Sequence, residues 1–108
     1  YGPTVFTGTG ANNMTIYPGT LAIAGTVFTG AVQRAIRVKI DGTGTPNTFT
    51  WSKDGGSTWD ATGVAITAAA AQTLTEGIQI IFVGDTGHAL NDRWDILFDP
   101  WLMPNVAH

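Results

Sequence analysis

At 108 residues, with five Lys and Arg against eight Asp and Glu, the chain carries a net charge of −3; it is one domain, long enough to bury roughly 65% of its unfolded surface and too short for a second core. The negative balance argues against nucleic acid and anionic membranes as partners, and the absence of cysteine removes disulfide scaffolds, zinc knuckles and thiol catalysis together. Only 12% of residues are charged, against roughly 25% in an average globular domain.

Seventeen threonines and fourteen glycines accompany that low charge. The resulting surface of Thr, Asn, Ser, Gln, Gly and Ala suits a densely packed assembly or an extracellular β-domain better than a free cytosolic monomer. No apolar run approaches the roughly 18–20 residues of a membrane span, and no signal-peptide pattern is present. A chain that starts at Tyr1 reads as a processed chain or an excised domain.

In chain order, Thr4-Val5-Phe6-Thr7-Gly8 recurs letter for letter as Thr26-Val27-Phe28-Thr29-Gly30, two short strand-like stretches closing in glycine. Met14, Ile16, Leu21 and Ile23 alternate around a Pro18-Gly19 turn. The clearest strand spans 34–40, with Ile36, Val38 and Ile40 on one face and Arg37 and Lys39 on the other. A half-buried strand with a solvated basic face accounts for it; a basic ligand-binding stripe is the alternative. Residues 41–47 hold enough Gly and Pro to interrupt the ladder.

Phe49 and Trp51 then alternate with Thr48, Thr50 and Ser52, a period of two. Asp54-Gly55-Gly56-Ser57 supplies turn residues, with φ > 0 open to both glycines. Ser57-Thr58-Trp59 is expected to begin the return strand, with Trp51 and Trp59 covering the hairpin from one side. Val64 and Ile66 alternate again, and 68–71 are too few residues for a stable helix. Strands over 72–75 and 78–83 are joined by a Glu76-Gly77 turn; the second is apolar on both faces, as in a strand that is central or covered. A turn-rich loop over 84–92 leads to the last strand, 93–98, with Trp94, Ile96 and Phe98 inward.

Eight or so short strands without a helix predict an all-β fold, an antiparallel β-sandwich of immunoglobulin-like or jelly-roll-like type. The sandwich is assigned to 1–99. Residues 100–108 read as an apolar tail or linker, where Pro100 and Pro104 end the ladder and Trp101, Leu102 and Met103 either pack back on the domain or dock on a partner.

Catalytic signals are missing. There is no serine nucleophile elbow, no glycine-rich phosphate loop before a helix, and no pair of carboxylates at a recognisable spacing. No cofactor is implied and the chain reads as non-enzymatic. Asp85, His88 and Asp92 are weak metal candidates, because Asp85-x-x-His88 lacks a third fixed ligand; a histidine hydrogen-bonded within its own loop fits better. Asp41, Asp54, Asp60, Asp85 and Asp92 are spread over separate turns, where Asx-turns explain them better than calcium does. Trp59, Tyr17 and Trp101 are the candidates for a sugar platform.

The stretch Trp51-Ser52-x-Asp54-x-Gly56-x-Thr58-Trp59 resembles the Asp-box hairpin of sialidase-type propellers, which implies a structural hairpin and no activity. A single copy in 108 residues builds no propeller. More broadly, Ile40-Asp41-Gly42-Thr43-Gly44-Thr45-Pro46-Asn47 through Trp59, then Thr62-Gly63-Val64, Gln72-Thr73-Leu74, Thr86-Gly87-His88 and Asp92-Arg93-Trp94 resemble a small domain recurring in bacteriophage tail and other virion proteins and in bacterial surface and hook-associated proteins. The opening Phe6-Thr7-Gly8-Thr9-Gly10-Ala11-Asn12-Asn13-Met14 shares that likeness. The resemblance implies a structural β-sandwich of a virion or extracellular assembly, oligomerising or docking on other subunits. A carbohydrate or host-surface binding module on a tail or cell-surface protein is the alternative.

Overall fold

The computed structural model describes residues 4–17 and 32–98. Eight strands occur among them, β1 (Val5–Thr7), β2 (Met14–Tyr17), β3 (Arg34–Gly42), β4 (Thr48–Ser52), β5 (Ala61–Ala65), β6 (Ala71–Thr73), β7 (Gln79–Phe82) and β8 (Arg93–Phe98), and no helix. They form a five-stranded sheet in the order β1-β8-β3-β4-β5 and a three-stranded sheet in the order β2-β7-β6, with antiparallel pairing between every pair of neighbours. The fold is an all-β sandwich, as the alternation of the sequence predicts.

The inner face of the large sheet follows from its period of two. Ile36 lies opposite Ile96 and Val38 opposite Trp94 across β3 and β8, and all four are buried. Met14, Ile16, Ile80 and Phe82 supply the small sheet's share of one core cluster. Phe82 joins the two layers, its ring centroid 5.6 Å from those of both Phe49 and Trp94. The strand apolar on both faces is β7, and it is central, between β2 and β6.

Two local expectations are corrected. The return strand starts at Ala61, so Ser57, Thr58 and Trp59 belong to the preceding loop. Trp51 pairs with Val38 and packs against the core, whereas Trp59 lies over Lys39 on the other face; the tryptophans do not share a side. The polar side of β4 is not solvated: Thr50 and Ser52 are 3% and 0% exposed. Thr50 Oγ1 donates to the Ala61 carbonyl at 2.6 Å, and the hydrogen bonds of Ser52 are made within the following loop.

The Glu76-Gly77 turn forms as expected. Both residues take positive φ, 52° and 82°, and Ile78 N–H donates to the Thr75 carbonyl at 2.8 Å, the geometry of a type I′ hairpin turn. Glu76 is an uncommon residue there, and its carboxylate accepts from Arg34 Nε at 2.6 Å, joining the β6–β7 turn to the start of β3. The expected tail residues Trp101, Leu102 and Met103, the alternating Leu21 and Ile23, and the second Thr-Val-Phe-Thr-Gly copy lie outside the described residues. Tyr17 ends β2, with its side chain likewise outside the description.

Candidate functional site

Three regions hold the sequence-predicted site residues. The first is the loop after β4. Ser52 Oγ donates to Asp54 Oδ1 at 2.5 Å and accepts from the backbone N–H groups of Asp54 and Gly56 at 3.1 and 2.9 Å. Thr58 donates to Asp54 twice, from its N–H to Oδ1 at 2.9 Å and from its hydroxyl to Oδ2. The Ser52 hydrogen bond, followed by those of Thr58, holds the Asp54 carboxyl well below the usual carboxylate range. Gly55 and Gly56 take φ of 72° and 95°, as their turn requires. Ser52, Asp54, Gly56 and Thr58 thus close the loop by side-chain hydrogen bonds, and Gly55 N–H ties it to β3 through the Ala35 carbonyl at 2.8 Å.

The second region is the end of the sandwich beneath the 84–92 loop. Asp92 is 1% exposed. Its Oδ1 accepts from Thr9 N–H at 3.0 Å, and its Oδ2 from Gly10 N–H at 3.0 Å and Ala89 N–H at 2.9 Å. His88 is 7% exposed and meets the rings of Phe82 and Trp94 edge-on, at centroid distances of 5.3 and 6.0 Å. Its Nδ1 lies 2.8 Å from Asn47 Oδ1 and its Nε2 2.7 Å from Asn13 Oδ1. Asn47 is fixed in orientation, because its Oδ1 also accepts from the His88 N–H and its Nδ2 donates to the Gly44 carbonyl. Nδ1 therefore carries a proton.

Two facing oxygens favour a charged ring, while burial lowers the His88 pKa against a smaller opposing pull from Asp92. We assign the neutral ring, since a half-turn of the Asn13 amide offers its nitrogen to Nε2 without loss of contacts. Asp85, His88 and Asp92 do not converge as metal ligands. Asp92 is spent on three backbone donors and His88 on two asparagines, and no group of three or more potential ligands occurs among the described residues. The remaining loop aspartates are likewise engaged singly: Asp41 accepts from Thr48 and Gly63, and Asp60 from Lys53 N–H. Asn12, Asn13 and Asn47 went unmarked as sequence candidates. Asn12 Oδ1 accepts from Trp94 Nε1 at 2.8 Å, completing a polar seal over the core.

The third region is the outer face of the five-stranded sheet. Val5, Ala35, Arg37, Arg93, Asp95 and Leu97 line an open groove of about 680 Å³. At its centre one carboxylate serves two guanidiniums: Asp95 Oδ1 accepts from Arg37 Nε at 2.7 Å and Oδ2 from Arg93 Nε at 3.3 Å. Val5 and Leu97 flank the trio at 54% and 41% exposure. Farther along the face Lys39 Nζ sits 4.9 Å from the Trp59 ring centroid, a cation–π contact. The basic side of β3 is therefore solvated in part and organised in part. Sequence alternation places Arg37, Arg93 and Asp95 away from the core, but only the β3–β8 register brings them together.

No family model, curated protein or solved structure matches this chain.

Proposed function

We propose that the chain is a non-enzymatic structural domain of a virion or similar extracellular assembly, contacting neighbouring subunits through the outer face of its five-stranded sheet. The observation that carries this reading is the groove, where Val5 and Leu97 stand exposed beside an ordered ion-pair cluster and take no part in the core cluster of the described residues. Exposed apolar side chains beside polar ones mark subunit contacts, in which arginine is also enriched. The low charge of the chain and its resemblance to virion and surface domains support the setting. The hydrogen bonds of Asp41, Asp54, Asp60 and Asp92 support the non-enzymatic reading, each carboxylate being engaged by structural donors.

Sedimentation across a concentration series tests it. Self-association is expected, and Leu97→Glu, a change at an exposed position, should abolish it without altering the circular dichroism spectrum. A domain that stays monomeric up to hundreds of micromolar, or an oligomer indifferent to Leu97→Glu, would sink the proposal. Trp59 is the one observation favouring a glycan module, being 36% exposed. Lys39 beside its ring and the lack of a second described aromatic along this face make it the weaker platform.

A further inference from the structure

The groove is bounded on one side by β1, the outermost strand of the five-stranded sheet. Edge strands present a row of unpaired backbone groups and are the usual place where a further strand is added. The opposite edge, β5, is blunted: its Gly63 N–H is held by Asp41 Oδ2 at 2.7 Å, and its pairing with β4 shifts register between Phe49 and Trp51. Among the described residues β1 carries no such device and has β8 as its only strand neighbour. Val5 and Thr7 alternate toward the groove, while Phe6 packs on Trp94 at 5.1 Å between ring centroids on the core side.

Charge selects what kind of strand fits. Arg37 and Arg93 share the single carboxylate of Asp95, so the trio keeps one positive charge in excess. Lys39 adds another on the same face, its partner being the Trp59 ring. Asp54, near the groove margin, stays ionised, but its carboxylate is turned to Ser52 and Thr58 and forms no ion pair with either guanidinium. In a chain with a net charge of −3, the Arg37–Asp95–Arg93 trio is thus a local positive excess, set beside the exposed Val5 and Leu97.

We propose that β1 is the edge at which an acidic polypeptide segment adds as an extra strand, with a groove-facing carboxylate held by Arg93. This rests on reading that face as a subunit contact and specifies the chemistry of the segment it takes. Thr7 pairs with Arg93 and Val5 with Asp95. A residue added beside Thr7 stands two strand spacings from Arg93, roughly 10 Å, within the joint reach of an arginine and a glutamate. The aliphatic flanks Val5 and Leu97 take the apolar neighbours of that glutamate, and backbone pairing to β1 supplies the rest of the affinity.

The experiment is an amide and arginine Nε NMR titration of the full chain with an acetylated, amidated peptide in which valine, glutamate and valine alternate with threonine. Its counterpart with lysine for glutamate is the control. Shifts at residues 5–7 and at Arg93 Nε are expected for the glutamate peptide alone. Arg93→Glu should weaken them at least about tenfold, the scale of one charge-assisted hydrogen-bond pair. Lys53→Glu makes the same charge change on the hairpin loop and should leave binding within about twofold, since exposed charges at a distance are screened. An equal response to the lysine peptide, or an equal loss in Lys53→Glu, would overturn the proposal. So would an oligogalacturonate that shifts these residues while the glutamate peptide does not. If Leu97→Glu dissolves the oligomer yet the glutamate peptide fails to bind, the contact reading stands and the acidic strand falls. If the peptide binds a protein that never self-associates, the reverse holds.

Discussion

Asp54 and Asp92 each gather hydrogen-bond donors around one carboxylate, yet they organise the molecule on different scales. Every partner of Asp54 lies within four residues of it, and the loop it closes stands in solvent. Two of the three donors to Asp92 come from 82 and 83 residues away, and the carboxylate is buried. Removing the first should loosen one loop, whereas removing the second should separate the β1–β2 connection from the 84–92 loop that covers the core. The same side chain is a local clasp in one place and a tertiary bolt in the other.

The contrast is broken most strongly by Asp92→Ala. Three backbone N–H groups would be left without their partner, two of them long-range, and a lost hydrogen bond to a charged group costs about 1.5–3 kcal/mol. Urea unfolding should therefore show a loss of at least about 3 kcal/mol, and a loss under about 1 kcal/mol would contradict the bolt.

His88 gives the next effect, read through pH. Its folded-state pKa is lowered from 6.5 by burial, so below pH 6.5 the unfolded chain binds the proton more readily than the folded one. Stability should fall as pH drops from 6.5 toward the folded value. His88→Gln, which keeps polar atoms facing Asn13 and Asn47, should flatten that slope. A wild-type curve rising toward acid in this window would mean the charged ring is the folded form and would reverse our assignment of the Asn13 amide.

The smallest effect belongs to Asp54→Ala, which should leave the unfolding midpoint nearly unchanged while Thr58 amide protection collapses in hydrogen exchange. In the wild type the clasp is fully present above the unfolded carboxylate value of 3.8 and is lost only as pH falls through the lower folded value. Thr58 protection surviving below pH 3.8 separates this loop from one held by an ordinary carboxylate.

These two aspartates also mark how far the sequence could be read. The strands were legible wherever a period of two was uninterrupted, as in Ile36-Val38-Ile40 and Trp94-Ile96-Phe98. The Ser52–Thr58 clasp was legible because its partners sit at fixed short spacings. The return strand was misplaced because Ser57-Thr58-Trp59 has strand propensity, while Asp54 draws Thr58 back into the loop. The polar seal was not legible: Asn12, Asn13 and Asn47 look like ordinary loop residues, and only the closed sandwich brings them over Trp94 and His88. The Arg37–Asp95–Arg93 cluster needed the register of β3 against β8, which alternation leaves open by any even number of residues.

The contact between Gly10 and Asp92 also settles a competition between two stretches of the chain. Thr4–Gly8 and Thr26–Gly30 are identical, so a folding chain holds two equal claimants for the place beside β8. Side chains within the pentapeptide cannot separate them. The residues just after each copy can, because position 10 is glycine and its counterpart, position 32, is valine. A Cβ at position 10 would stand 2.3 Å from Asp92 Oδ2 and 2.4 Å from Ala89 N, closer than real atoms approach. The second copy could pair with β8 but could not then seat its next residues under the buried carboxylate. The place beneath Asp92 therefore admits no side chain at position 10, a requirement that a valine there, as at position 32, would not meet.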